Sequence, residues 1–295
     1  MKIAPARGLG RIEMICGDPG ALAEFYQAAF GFLEIGGGVP PAMRGGVELR
    51  LGGQTISLIR AEPGGRRYPK DVPGWSPLFQ HIAIVVANMA RAQAHLSTIA
   101  GWTPISTSGP QLLPAASGAV SAFKFRDPEG HPLELIAFPP GGVPSQWQMT
   151  SQAVCLGIDH SAVSVSNTAV SVDFYESLGL DRNGGSLNVG PEQAMLDDVP
   201  DAVVEVTALT PAQTTPHVEL LCYRGDFDRR VPVQAINDTT ATRLVLTVES
   251  RAALEAICAH SARAVLSGPK MYQDNLCRAL LHDPDGHLIC LEASA

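Results

Sequence analysis

Several things are missing from this chain of 295 residues, and each absence removes a class of function. There is no cluster of Lys and Arg, and the net charge is −8, which argues against nucleic acid and anionic membranes as partners. No apolar run is long enough to cross a bilayer, so no membrane partner is expected. The opening Met1-Lys-Ile-Ala-Pro-Ala-Arg-Gly lacks the apolar core of a secretory leader. The six cysteines (Cys16, Cys155, Cys222, Cys258, Cys277 and Cys290) form no Cys-x-x-Cys pair and sit in apolar patterns as reduced, buried thiols. The expectation is a cytoplasmic, disulfide-free protein. There is no low-complexity tract, and 45% hydrophobic with 17% charged residues is a globular composition, long enough for two ordinary domains.

What is present is a repeat. Asp127-Pro-Glu-Gly-His-Pro-Leu-Glu-Leu135 and Asp283-Pro-Asp-Gly-His-Leu-Ile-Cys-Leu291 write one turn-then-strand device twice, 156 residues apart. Phe25-Tyr26 with Gly31 and Phe174-Tyr175 with Gly179 repeat in the same order at a spacing of 149. A duplication of about half the chain predicts two copies of one module, with bounds 8–140 and 156–294 and a Pro/Gly-rich linker over 141–155.

Within each copy the order strand, amphipathic helix, several strands occurs twice. Unit one starts at Arg11-Ile-Glu-Met-Ile-Cys, has a helix opened by Asp18-Pro19 and stopped by Gly31, and strands at 47–51 and 55–60. Unit two starts at His81, with a helix over 89–100 and strands near 122–125 and 132–138. Unit three starts at His160, with a helix over 169–178 and strands near 202–209 and 216–223. Unit four starts at Arg243, with a helix over 251–261 and strands near 278–282 and 287–292. The irregular stretch 61–79, with Arg66, Tyr68 and Trp75, is long for a connection and reads as a lid or flap over a cleft.

Paired βαβββ units with Phe-Tyr on the helix, Gly after it and Asp-Pro-(Glu/Asp)-Gly-His before the last strand resemble the vicinal oxygen chelate superfamily. That group includes glyoxalase I, extradiol ring-cleaving dioxygenases and bleomycin-resistance proteins. The resemblance spans nearly the whole chain and implies an α+β fold: four βαβββ units in two glyoxalase-like modules, with curved mixed sheets around clefts. It also implies that each unit can supply a metal ligand from its first strand and another from its last. Those positions hold Arg11 and Ser57 in unit one, His81 and Glu134 in unit two, His160 and Glu219 in unit three, and Arg243 and Cys290 in unit four.

Clefts formed inside each module would both be half-sites. Crosswise pairing brings unit two to unit three and collects His81, Glu134, His160 and Glu219 in one place, so crosswise pairing is the expectation. Strand alternation supports it, because each candidate lies opposite large apolar residues: His81 against Ile82 and Ile84, and Glu134 between Leu133 and Leu135. Two imidazoles and two carboxylates suit one divalent ion among Zn, Ni, Co, Mn and Fe(II).

The resemblance then implies a metal-dependent lyase or isomerase of the glyoxalase type acting on a small vicinal-oxygen substrate, with Glu134 or Glu219 as the catalytic base. Two alternatives stay open: a ring-cleaving dioxygenase using Fe(II), and a metal-free small-molecule binder of the bleomycin-resistance type. His217, which shares a strand face with Glu219, and the aromatics Tyr68 and Trp75 are expected to touch substrate. With four units in one chain, both clefts can close within a monomer, and a homodimer is equally compatible.

Overall fold

In the computed structural model of the chain, residues 6–36, 45–148, 153–213, 215–230, 234–272 and 275–294 are described. Unit one consists of β1 (Gly8–Cys16), α1 (Pro19–Phe30), β2 (Leu33–Glu34), β3 (Val47–Leu51) and β4 (Gln54–Arg60). Unit two consists of β5 (Gln80–Val86), α2 (Met89–Leu96), β6 (Thr103–Pro104), β7 (Gln111–Leu112), β8 (Ser121–Arg126) and β9 (Pro132–Ala137). Unit three consists of β10 (Cys155–Ser164), α3 (Thr168–Ser177), β11 (Asp181–Asn188), α4 (Pro191–Asp197), β12 (Val204–Thr210) and β13 (His217–Tyr223). Unit four consists of β14 (Arg243–Thr247), α5 (Arg251–His260), β15 (Val265–Tyr272), β16 (Leu276–His282) and β17 (Leu288–Ser294).

The start and stop signals act as the sequence indicates. Asp18 accepts from the Gly20 and Ala21 amides at the head of α1, Pro19 needs no amide there, and Gly31 at φ 77° ends the helix. Helix α2 stops earlier than expected, at Leu96, and the chain turns on to Gly101. Strand β11 and helix α4 have no counterpart in the expected element list. Asp181–Asn188 is a polar, glycine-bearing edge strand with most side chains exposed, so it carries no alternation to read. Residues 149–152 of the expected linker lie outside the described residues.

The strands form an α+β structure with two curved mixed sheets. The nine-stranded sheet runs β11-β12-β13-β10-β5-β9-β8-β6, with β7 on β8; the eight-stranded sheet runs β15-β16-β17-β14-β1-β4-β3-β2. Each sheet is therefore built across the repeat. Units two and three join through antiparallel β5 and β10, and units one and four through antiparallel β1 and β14. The apolar faces of both sheets and the helices share one large core, to which β5 gives Ile82, Ile84 and Val86 and β10 gives Ile158 and Val163. Their opposite faces are left for the clefts. No described helix is long and apolar enough to cross a membrane.

The repeated Asp-Pro-x-Gly-His turns bind the other pairs of units. Asp127 accepts from the Glu129 and His131 amides, which closes the turn, and from Tyr26 Oη of α1 at 3.2 Å. Glu129 accepts from the Gly17 and Asp18 amides at 2.6 and 2.8 Å, fastening unit two to the head of α1. The second copy repeats the arrangement: Asp283 takes Tyr175 Oη, and Asp285 takes the Ser166 amide. Gly130 at φ 99° is required, since a Cβ there would meet Tyr68 Cβ at 2.9 Å.

The stretch 61–79 is not a flap over the cleft. Its Tyr68 is buried against His131, with its hydroxyl on the Leu78 carbonyl, and Arg66 pairs with Asp238 at 2.6 Å. This segment therefore straps the two sheets together.

His131 Nδ1 lies 2.8 Å from Asp127 Oδ2 and Nε2 lies 2.9 Å from the Ile15 carbonyl. Both partners are acceptors, so the ring donates from both nitrogens and is a cation. Burial opposes that charge, but Asp127, the Ile15 carbonyl and Glu129 outweigh it and raise the pKa above 6.5. The resulting stabilisation is complete below the unfolded value of about 6.5 and is lost as pH rises through the raised folded value. The urea midpoint is expected to fall above neutral pH, and His131→Gln should start lower and lose that part of the decline. Parallel curves for the two proteins would remove His131 from the pH dependence.

Candidate metal centre

Strand register decides which side chains meet between β5 and β10. Ala162 pairs with His81 on one side and Glu219 on the other, while Ala83 pairs with His160 and Glu134. Two alanines thus sit at the centre of a square of His and Glu side chains, and their small size leaves space above the sheet. His81 is 1% and His160 and Glu134 are each 6% exposed, so the group is almost wholly removed from water.

The register shift between Ile158 and His160 is a β-bulge. It turns Asp159 to the same side as its neighbour, with Oδ2 3.0 Å from His160 Nδ1 and Oδ1 accepting from Trp147 Nε1 at 3.0 Å. A carboxylate accepts, so Nδ1 carries a proton and Nε2 faces the cavity. Nε2 lies 3.4 Å from Glu219 Oε2 and 3.7 Å from Glu134 Oε2 with no hydrogen-bond partner. His81 Nε2 is 2.9 Å from Glu134 Oε2, again without hydrogen-bond alignment, and its Nδ1 is unpartnered as well.

Buried, unpaired imidazole nitrogens facing carboxylates are what a metal site requires. A divalent ion with bonds near 2.1 Å has ligand-to-ligand edges of roughly 3.0 to 3.4 Å for octahedral to tetrahedral geometry. The observed separations of 2.9, 3.4 and 3.7 Å bracket that range. His81, Glu134 and His160, whose ligand atoms all lie within 4.8 Å of one another, could hold such an ion.

The charges are strongly coupled. Burial keeps His81 below its ordinary pKa despite Glu134, so this ring is neutral. Burial also opposes a charge on His160, but Glu219, Asp159 and Glu134 reverse the effect and hold its pKa well above the ordinary value. The carboxylates call for a positive charge at Nε2, which a proton or a metal ion supplies equally. Burial would raise Glu134, yet Lys124, His81 and His160 hold it well below the carboxylate range. Glu219 is lowered against burial by His160 and His217. It is also the more open of the two, its side chain 21% exposed against 8% for Glu134.

A cavity of about 160 Å³ opens above these residues. Apolar walls come from Leu113, Ile136, Leu196 and Leu221, and polar groups from Lys124, Ser186, Asn188 and Gln193. The outer wall is therefore built by α4 and β11, the two unexpected elements of unit three.

The structure brings ligand atoms of His81, Glu134 and His160 within 4.8 Å of one another, and Glu219 stands beside them at 3.4 Å from His160. His217 stands behind them, Nε2 3.4 Å from Glu219 Oε1 and Nδ1 3.8 Å from Asp159, and is not in the cavity wall. Tyr68 is a correction: it packs on His131 and is drawn away from the cleft by its hydrogen bond to the Leu78 carbonyl. Trp75 is a correction as well, because it stacks on Phe227 at 5.2 Å, behind the cleft wall.

Sequence reasoning missed Asp159, Trp147, Lys124 and Asp197. Lys124 had a signal, being a lysine between Phe123 and Phe125 on a strand, the same pattern that marks Glu134. Strict alternation sends Asp159 to the opposite face, and only the bulge returns it.

The equivalent square in the other sheet is filled. Glu13 occupies the place of Ala162, paired with Arg243 and Ser57 as Ala162 is with His81 and Glu219. Its carboxylate is fully buried and bonded to Arg11 at 2.8 Å and to Arg278, with Arg243 at 3.5 Å. Arg11 also holds Glu292 through two bonds of 2.8 and 2.6 Å, and Arg278 Nε lies 3.2 Å from Cys290 Sγ. An internal ion network stands where the first square has room for a cation.

Residues 8–135 match the family model described as Glyoxalase/Bleomycin resistance protein/Dioxygenase superfamily. Among solved structures, glyoxalase I from Zea mays is 17% identical, with 97% of this chain and 92% of that chain covered and a TM-score of 0.65. A putative dioxygenase from Bacillus subtilis subsp. subtilis str. 168 is 14% identical, with 99% and 86% covered and a TM-score of 0.62. At these identities the likeness is one of fold. None of the curated proteins matches the chain.

Removing one partner from a buried ion network leaves the others uncompensated. Glu13→Gln is expected to cost about 3–5 kcal/mol in urea unfolding, because three guanidinium groups lose their shared carboxylate. A loss below about 1 kcal/mol would mean that the network does not hold this sheet together.

Proposed function

Residues 8–135 match the family model of the Glyoxalase/Bleomycin resistance protein/Dioxygenase superfamily, and from that premise we propose that the cleft between units two and three is a catalytic metal site. His81, Glu134, His160 and Glu219 would hold one divalent ion of the Zn, Ni, Co, Mn or Fe(II) group. The protein would act as a metal-dependent lyase or isomerase on a small molecule with vicinal oxygens. The observation that carries this reading is the set of unpartnered imidazole nitrogens, two on His81 and one on His160, buried beside two carboxylates.

When bound, such an ion polarises substrate oxygen and stabilises negative charge developing on it. The chain's own residues divide the remaining work. Asp159 fixes the His160 tautomer and ring plane, and Trp147 fixes Asp159 in turn. Glu134, clamped between two histidines and paired across strands with Lys124, is a poor proton acceptor and serves as a ligand.

Glu219 is more exposed to the cavity and has His217 at 3.4 Å to balance a change of charge. It is therefore the group that takes a proton from substrate carbon and returns it. The apolar walls keep bulk water from the reacting carbon. The cavity of about 160 Å³ is near the size of one that accepts benzene and suits a small molecule.

Elemental mass spectrometry of purified protein should find about one divalent ion per chain. His81→Ala/His160→Ala should lose it. Absence of an ion after loading with Zn, Ni, Mn and Fe(II) would leave a metal-free binding protein as the better reading. Glu219→Gln should keep a measurable share of the metal and lower turnover by roughly 10²- to 10⁴-fold. A variant that keeps both metal and turnover would move the base elsewhere.

A further inference from the structure

In the metal-site reading Lys124 serves only as a positive charge beside Glu134, and its hydrogen-bond donors are unused. It is 4% exposed, lies on β8 opposite Glu134, and is the one lysine or arginine in the cavity wall among the described residues. Its Nζ donates to Asp197 Oδ1 at 2.7 Å, the only acceptor within hydrogen-bond distance among the described residues. An ammonium carries three N–H donors, so two are left without a protein acceptor in a buried wall. Asp197 cannot take more of them, since its Oδ2 already accepts from Gln193 Nε2 at 2.6 Å and Tyr223 Oη at 2.9 Å. Charged donors are costly to leave unpaired away from water, and here they border a cavity rather than packed side chains.

Resting on the metal-site reading above, we propose that Lys124 is the specificity-determining residue of the cleft and that its substrate is a small 2-hydroxy or 2-oxo acid. In such an acid the C2 oxygen and one carboxylate oxygen form the vicinal pair that meets a bound ion. The second carboxylate oxygen is left over, and it takes the unpaired donors of Lys124. The reach is right, because directly opposite residues on antiparallel strands have Cβ atoms about 4.5–5.5 Å apart. Lys124 thus stands one strand away from Glu134, within the span of a single carboxylate group. A neutral vicinal diol of the same shape leaves the ammonium unsatisfied, so the site discriminates against it.

The test compares acids with their neutral counterparts. Lactate against 1,2-propanediol and mandelate against 1-phenyl-1,2-ethanediol are titrated calorimetrically into zinc-loaded and into chelator-treated protein. Wild type is expected to bind at least one acid about tenfold or more tighter than its diol, as for a hydrogen bond to a charged group. Lys124→Met would strand the Asp197 carboxylate, so Lys124→Met/Asp197→Asn is measured beside it, with folding checked by circular dichroism.

In the folded variant the preference for acid over diol should shrink to threefold or less. A preference that survives in the variant, or acids that bind neither form of wild type better than diols, overturns the assignment. Absence of zinc uptake, with an acid preference that persists in chelator-treated wild type and is lost in the variant, would overturn the metal reading and support Lys124.

Discussion

The antiparallel pairing of β5 with β10 is the contact on which the candidate site depends. It places Ala162 against His81 and Ala83 against His160, and it is the only reason that ligands from opposite halves of the chain share a face. A one-residue slip would send one histidine into the apolar core and bring an isoleucine or valine into the cleft. The large apolar residues on the other face, Ile82, Ile84 and Val163 among them, make that slip costly. The hydrophobic pattern therefore sets the position of the polar chemistry.

The two squares differ at every corner: Arg243, Arg11, Ser57 and Cys290 stand where the first has His81, His160, Glu219 and Glu134, and Glu13 stands in the place of Ala162. Ala162 leaves a gap bordered by His81, Glu134 and His160, while Glu13 puts a carboxylate into the gap and gathers arginines around it. Both solutions balance charge inside a sheet where unbalanced charge is not tolerated. The first sets buried histidines beside carboxylates, and the second builds its balance from arginines and glutamates.

Much of this was legible in the residues. The doubled Asp-Pro-x-Gly-His turn and the Phe-Tyr pairs marked the repeat, and the resemblance they carry pointed to His81, Glu134, His160 and Glu219, each on the strand face opposite large apolar residues. What escaped was whatever depends on departures from regularity. Asp159 reaches His160 only through a bulge, and no propensity marks where a strand admits an extra residue. Strand β11 carries the polar, glycine-bearing composition of a loop because it is an edge with little to bury. The aromatics Tyr68 and Trp75 were placed in the cleft by their position in a long connection. Their burial against His131 and Phe227 follows from tertiary contacts that no local pattern encodes.

The Asp-Pro-x-Gly-His turns tie unit one to unit two and unit three to unit four, whereas the sheets tie two to three and four to one. Followed around the molecule, the units form a closed ring in which seams of the two kinds alternate. Either half alone would end in two open strand edges, β1 and β5 or β10 and β14, with backbone donors and acceptors bare. Two half-chains carry complementary edges and can close the same circle without a covalent joint. The linker then contributes local concentration rather than architecture, and the duplicated chain is in physical terms a dimer whose two subunits cannot separate.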